Sequence, residues 1–184
     1  MSYDSYGSNG VNIEGRKPTY SATIADFVPA ATATDMVTIT GAANKICTIT
    51  NIRFTGSATT STFQGMYLIK RSTLDTGGTS SSTTITPHDS SDIAPSAVVK
   101  QYSANPSSLG TAVGTIRADH LGLPSAAAGT YPLIWDFCDR AAKGIRLNSA
   151  TESLAINFNG AAVPTGTNLH ITIEWTEEAT NLTS

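Results

Sequence analysis

Around residues 168–176 apolar and polar side chains alternate without a break: Leu169, Ile171, Ile173 and Trp175 face one way, and His170, Thr172, Glu174 and Thr176 face the other. A period of two belongs to a strand with one buried and one wet side; wound as a helix, the same residues would scatter their apolar groups around the axis. Such a strand needs a sheet around it and a second layer to cover its apolar face. The pattern recurs over residues 45–54, where Ile46, Thr48, Thr50, Ile52 and Phe54 alternate with Cys47, Ile49, Asn51 and Arg53. Both of its faces are partly apolar, which predicts a central strand. The run GMYLIKR at residues 65–71 is a further strand, and residues 98–103, 112–118, 133–137 and 153–158 are shorter ones.

Composition argues the same way. Thr and Ser fill 48 of 184 positions while charged residues make up 14%, against roughly 25% in an average soluble protein. Hydroxyl side chains compete with the helix for backbone hydrogen bonds and suit strands and turns. Turn signals separate the strands: Asp75-Thr76-Gly77-Gly78, Asn105-Pro106-Ser107, Asn159-Gly160 and Pro164-Thr165-Gly166. Asn159-Gly160 is the best hairpin dipeptide, yet the next apolar run begins only after Gly166, so a longer loop is expected there. Together these features predict an all-β chain folded as an antiparallel β-sandwich, with a jelly roll as one arrangement and an immunoglobulin-like or carbohydrate-binding sandwich as the other. The sandwich is expected over residues 36–178, followed by a C-terminal tail at 179–184. Residues 1–35 carry no sustained period and read as an extended N-terminal arm, with Tyr20, Phe27 and Val28 as anchors on a neighbouring subunit. A solvated tail without a role is the plainer alternative.

Several function classes recede on charge and hydropathy. The net charge is −3 and the 11 Lys and Arg are scattered, so no basic stripe exists to neutralise a row of phosphates, and nucleic acid is not expected as a partner. No stretch of about 18 apolar residues predicts a membrane span. The first residues, MSYDSYGSNG, have neither a basic nor an apolar leader region, so synthesis in a cytoplasm is expected. Cys47 and Cys138 are expected to be two buried thiols rather than a disulfide framework.

Catalytic signatures are missing as well. The chain contains no G-x-S-x-G, no phosphate-binding G-x-x-x-x-G-K-[ST], no G-x-G-x-x-G, no H-E-x-x-H and no C-x-x-C. No catalytic residue, no metal ligand and no cofactor is predicted. His88-Asp89 with Asp92 reads as a polar turn, and His170 with Glu174 as a solvated face, four residues and about 13 Å apart along a strand. Asp136 and Asp139 lack a second pair or a nucleophile nearby. Tyr67, Tyr131, Trp135 and Trp175 are the aromatics that could line a sugar platform, although Trp175 lies on the apolar side of its strand.

A set of phrases stands out together: MYLIKRSTLDTGG (66–78), TPHDSSD (86–92), QYSANPSSLG (101–110), GTIRA (114–118), IWDF (134–137), LAINFNG (154–160) and IEWTEE (173–178). In order and spacing they resemble small virion structural proteins of tailed bacteriophages, across residues 36–178. The resemblance implies a non-enzymatic β-sandwich of the virion, assembled in the host cytoplasm, that decorates or cements the capsid. A place in the collar, tail or fibres is the alternative within that class, and a carbohydrate-binding or adhesin module lies outside it. It also implies a homo-oligomer, a trimer in such shells, bound to the major capsid protein or other virion proteins.

Overall fold

The computed structural model describes residues 17–125, 128–138 and 143–180. Two antiparallel sheets of six strands each face one another. Sheet A contains β1 (Thr19–Phe27), β3 (Lys45–Ser57), β6 (Ile85–Pro87), β9 (Leu133–Asp136), β10 (Ile145–Leu147) and β12 (Asn168–Ala179). Its order is β10-β3-β12-β1-β6, with β9 beside β10 along the same edge of β3. Sheet B runs β5-β7-β2-β11-β4-β8, built from β2 (Asp35–Thr40), β4 (Thr62–Arg71), β5 (Thr79–Ser82), β7 (Val98–Ala104), β8 (Ala112–Leu123) and β11 (Ser153–Asn157). Among the described residues no strand pairs with its neighbour in sequence, so every ladder closes a long loop. The expected all-β sandwich is therefore present. Asn159-Gly160 forms a tight turn with both residues at positive φ, inside the long β11–β12 connection rather than a two-residue hairpin.

The core lies between the sheets. Leu169, Ile171, Ile173 and Trp175 are buried as their alternation requires, while His170 on the other face is exposed. β3 is central, but its two-faced apolarity has a local cause. Its pairing with β12 slips between Glu174 and Trp175, leaving Thr50 as an extra residue on β3. That bulge reverses the parity, so Cys47 and Ile49 before it and Ile52 and Phe54 after it all reach the core. Phe54 meets Trp135 edge-on at 4.7 Å between ring centroids.

The N-terminal arm requires correction. Residues 19–27 are not an arm laid on a neighbour; they form β1, an inner strand of the chain's own sheet A, between β12 and β6. The reason is physical: without β1 the long strand β12 would leave one edge unpaired, and Tyr20, Ala22, Ile24 and Phe27 supply core that no other segment supplies. Tyr20 lies opposite Trp175 with ring centroids 5.9 Å apart and donates its hydroxyl hydrogen to the Ile93 carbonyl at 2.7 Å. A bulge between Ile24 and Phe27, with Asp26 at φ 53°, turns Phe27 inward. Of the three expected anchors, Tyr20 and Phe27 are core and only Val28 is exposed. The domain thus begins before residue 36, and at its other end Ala179 still pairs with Lys45. The expected arm's residues 1–16 and the tail's residues 181–184 lie outside the described residues.

Candidate functional site

Two features distinguish the surface of sheet B among the described residues: an edge strand on one side and a pair of loops closed over its outer face. β8 is the edge. Among the described residues it pairs only with β4, and all nine residues from Ala112 to His120 are exposed, so the strand projects beyond the covering sheet. An edge of this length offers a row of unpaired N–H and C=O groups to another chain. Large apolar side chains are exposed on it and near its end: Val113 is 64% exposed and Ile116 is also exposed on β8, with Phe63 at 75% and Tyr131 at 70% beside Gly122. Phe63 and Tyr131 flank a groove of about 490 Å³ floored by Gly122, Leu123 and Pro124. At the sandwich margin, Trp135 Nε1 donates to Asp119 Oδ2 at 2.7 Å, and the Arg117 guanidinium stands 5.8 Å from the centre of the Phe137 ring. These contacts tie β8 to β9 across the gap between the sheets.

The second feature covers the outer face of β2 and β11, whose residues 35–39 and 153–157 are buried on both faces. The cover consists of the β4–β5 loop (residues 72–78) and the β7–β8 loop (residues 105–111). They are stitched together by Ser72 N to Thr111 O at 2.9 Å and by a reciprocal pair between Thr76 and Ser108 at 2.9 and 3.1 Å. Backbone approaches backbone so closely that a Cβ on Gly110 would stand 2.0 Å from the Thr73 carbonyl oxygen. Only glycine fits there.

Beneath the loops lies a buried ionic cluster. Arg71 donates to both carboxylate oxygens of Asp35, from Nη2 at 2.8 Å and from Nε, and its Nη1 donates to the Gly110 carbonyl at 2.6 Å. Asn157 Nδ2 also donates to Asp35. Asp75 accepts from Gly110 N at 2.8 Å. Burial works against the Arg71 cation, but hydrogen bonds and charge from Asp35 outweigh it and raise its pKa above the ordinary value. Burial, reinforced by the charges of Asp75 and Asp35, raises that of Tyr102. A second buried carboxylate, Glu177 on β12, accepts from the amides of Ser96 and Ala97 at 3.0 to 3.1 Å and from Trp175 Nε1 at 3.1 Å. With the Tyr20 hydroxyl it fastens the loop before β7 to sheet A.

The other sequence candidates fall apart in space. Trp135 and Trp175 are buried and Tyr67 is partly covered, so Tyr131 alone of the four expected platform aromatics is freely exposed. Asp89 accepts from the amide and hydroxyl of Ser91 at 2.8 and 2.7 Å, the polar turn expected there. His170 Nε2 lies 3.7 Å from Asp26 on the wet face of β12. Asp136 takes the Cys138 amide at 2.9 Å, and Asp139 lies outside the described residues. Among the described residues no group of three His, Cys, Asp or Glu could hold a metal ion. The ionic cluster had no sequence signal beyond Arg71 and Asp75 being four apart, because Asp35 and Asn157 arrive from distant strands.

No disulfide joins Cys47 to Cys138, and Cys138 is exposed rather than buried as expected. Burial, aided by the Glu177 charge, pushes the Cys47 thiol up to about 12. Since the thiolate is the reacting form, Cys138 is expected to alkylate in the native protein, and Cys47 at least ~100-fold more slowly until the chain is unfolded. Counting modified thiols by mass spectrometry with and without denaturant checks this. Equal modification of both in the native state would refute the burial of Cys47.

Comparison of the chain with protein-family models, with curated proteins and with solved structures gives no match.

Proposed function

We propose that this chain is a non-enzymatic structural protein of a tailed-bacteriophage virion, a capsid decoration or cement protein that binds neighbouring subunits along β8. The observation that carries this reading is the β8 edge: nine exposed residues in a row without Lys or Pro, on which two bulges present Val113 and Ile116, with Arg117 and Asp119 as its charged residues and Phe63 and Tyr131 towards its far end. A strand added to such an edge gains main-chain hydrogen bonds, while the apolar side chains around it supply buried area. The hydroxyl-rich, charge-poor surface suits the same purpose, since neighbours can hydrogen-bond to it without burying unpaired charges. Within the class, a collar, tail or fibre position uses the same edge.

Mass spectrometry of purified particles with copy number tests the reading. Hundreds of copies support a head or tail-tube component, a handful support collar, fibre or tip, and absence from particles refutes it. Replacing Val113 and Ile116 together by Lys is expected to leave the melting temperature of the isolated protein within a few degrees, as both are exposed, and to weaken attachment at least ~10-fold. Unchanged occupancy on the particle would remove β8 from the interface.

The Phe63–Tyr131 groove favours one second reading, a carbohydrate-binding or adhesin module. Two exposed rings beside Ser61 and Thr62 offer stacking faces and hydroxyls. Glycan-array binding lost in Tyr131→Ala would favour it over the first.

A further inference from the structure

We propose that Asp35 and Asp75 share one proton, and that this proton latches the two loops over sheet B. Both carboxyl groups are sealed from water, with side chains 0% and 1% exposed. Asp35 accepts three hydrogen bonds, two from Arg71 and one from Asn157, and with about four lone-pair sites it has room for one more. In Asp75, Oδ1 takes the Gly110 amide, while Oδ2 is buried with no donor among the described residues. The Asp75 carboxyl also stands beside Asp35 at the same guanidinium nitrogen: Arg71 Nε, which donates to Asp35, is 3.7 Å from Asp75 Oδ1. Two carboxylates are acceptors only, so such a contact is repulsive until one of them carries hydrogen.

The charge count points the same way. With both acids ionised, Arg71 leaves one negative charge uncompensated beneath the loops; one proton brings the cluster to neutrality. The groups facing Asp75 are Asp35 from β2, Arg71 from β4 and Tyr102 from β7, with neutral Asn157 from β11 holding Asp35. Burial, then the charge and contact of Asp35, outweigh the Gly110 amide and Arg71 and bring Asp75 up to about 6 from the ordinary aspartate value of 3.8. The proton enters from solvent onto Asp75 and its hydrogen is donated to the Asp35 carboxylate. Opening the loops hydrates Asp75, which then releases the proton wherever the pH lies between 3.8 and about 6. A carboxyl whose pKa is higher in the closed state binds its proton more tightly there. Closure therefore strengthens as pH falls through about 6 towards 3.8, and weakens as pH rises through that window.

Amide hydrogen exchange of the full chain, corrected for intrinsic rates, tests the latch at Gly110 and Thr111. Protection is expected to be about tenfold greater at pH 5 than at pH 8, the factor that linkage gives for this shift. In Asp75→Asn the side-chain amide donates permanently in place of the proton, so the protection is expected to lose its pH dependence. Carbon-13 spectra of the wild-type carboxyls are expected to show Asp75 titrating well above the ordinary aspartate range. Equal protection at both pH values in the wild type, the same pH dependence in Asp75→Asn, or an ordinary Asp75 titration would each overturn the proposal. The two wild-type measurements decide the matter even where the variant folds poorly.

Discussion

A chain lacking residues 1–27 is expected not to fold. β1 is an inner strand, and its removal strips Tyr20, Ile24 and Phe27 from the core at roughly 1.5–3 kcal/mol each, about 5–9 kcal/mol in all. A typical domain has only about 5–15 kcal/mol of net stability. Further losses follow from the ladder: β12 loses one of its two partners from Leu169 to Thr176, and β6 loses the one it has among the described residues. The Tyr20 hydroxyl no longer holds the Ile93 carbonyl, and the Glu177 amide no longer meets Pro18. Circular dichroism and the dispersion of amide proton signals report the result. A truncated chain with native-like spectra and an unchanged melting temperature would show that these residues act as an external arm after all. The single substitution Tyr20→Ala is the milder version, with an expected loss of about 3–5 kcal/mol.

Why β12 was legible and β1 was not comes down to bulges and small residues. β12 keeps strict alternation through Leu169, Ile171, Ile173 and Trp175, and its partner strands absorb the irregularity. β1 places tiny Ala22 between Tyr20 and Ile24, and then its bulge at Asp26 shifts Phe27 to the face that a regular strand would turn outward. Period two therefore fails within one segment, although every residue involved is doing what its local geometry dictates. The same effect at Thr50 made β3 look apolar on both faces. The β8 segment was visible as a strand, but its position at an edge was not, because edge or centre depends on pairings between segments far apart in the chain. For the same reason the Arg71 cluster could not be read in advance: each side chain is an ordinary surface type until β2, β4 and β11 come together and the loops close above them.

That closure makes Arg71 a sensitive position, since its cation is sealed beneath the loops. Arg71→Met retains much of the side-chain volume but leaves Asp35, fully buried, with Asn157 as its remaining donor, and leaves the Gly110 carbonyl without its guanidinium partner. Removing one member of a buried ion pair costs about 3–5 kcal/mol, because the surviving charge has neither water nor a counterion. Arg71→Lys is expected to recover only part of this, since one ammonium cannot engage both oxygens of Asp35 and the Gly110 carbonyl at once. Adding Asp35→Asn to Arg71→Met removes one of the two carboxyls left without a counterion, with Asp75 remaining. The double variant is therefore expected to be more stable than Arg71→Met by ~1–2 kcal/mol, and the coupling between the positions to exceed ~1 kcal/mol in a double-mutant cycle. Denaturant melts at neutral pH supply all four corners of the cycle. Additive effects would mean that Arg71 and Asp35 do not depend on one another, and that the loops are held by their backbone hydrogen bonds alone.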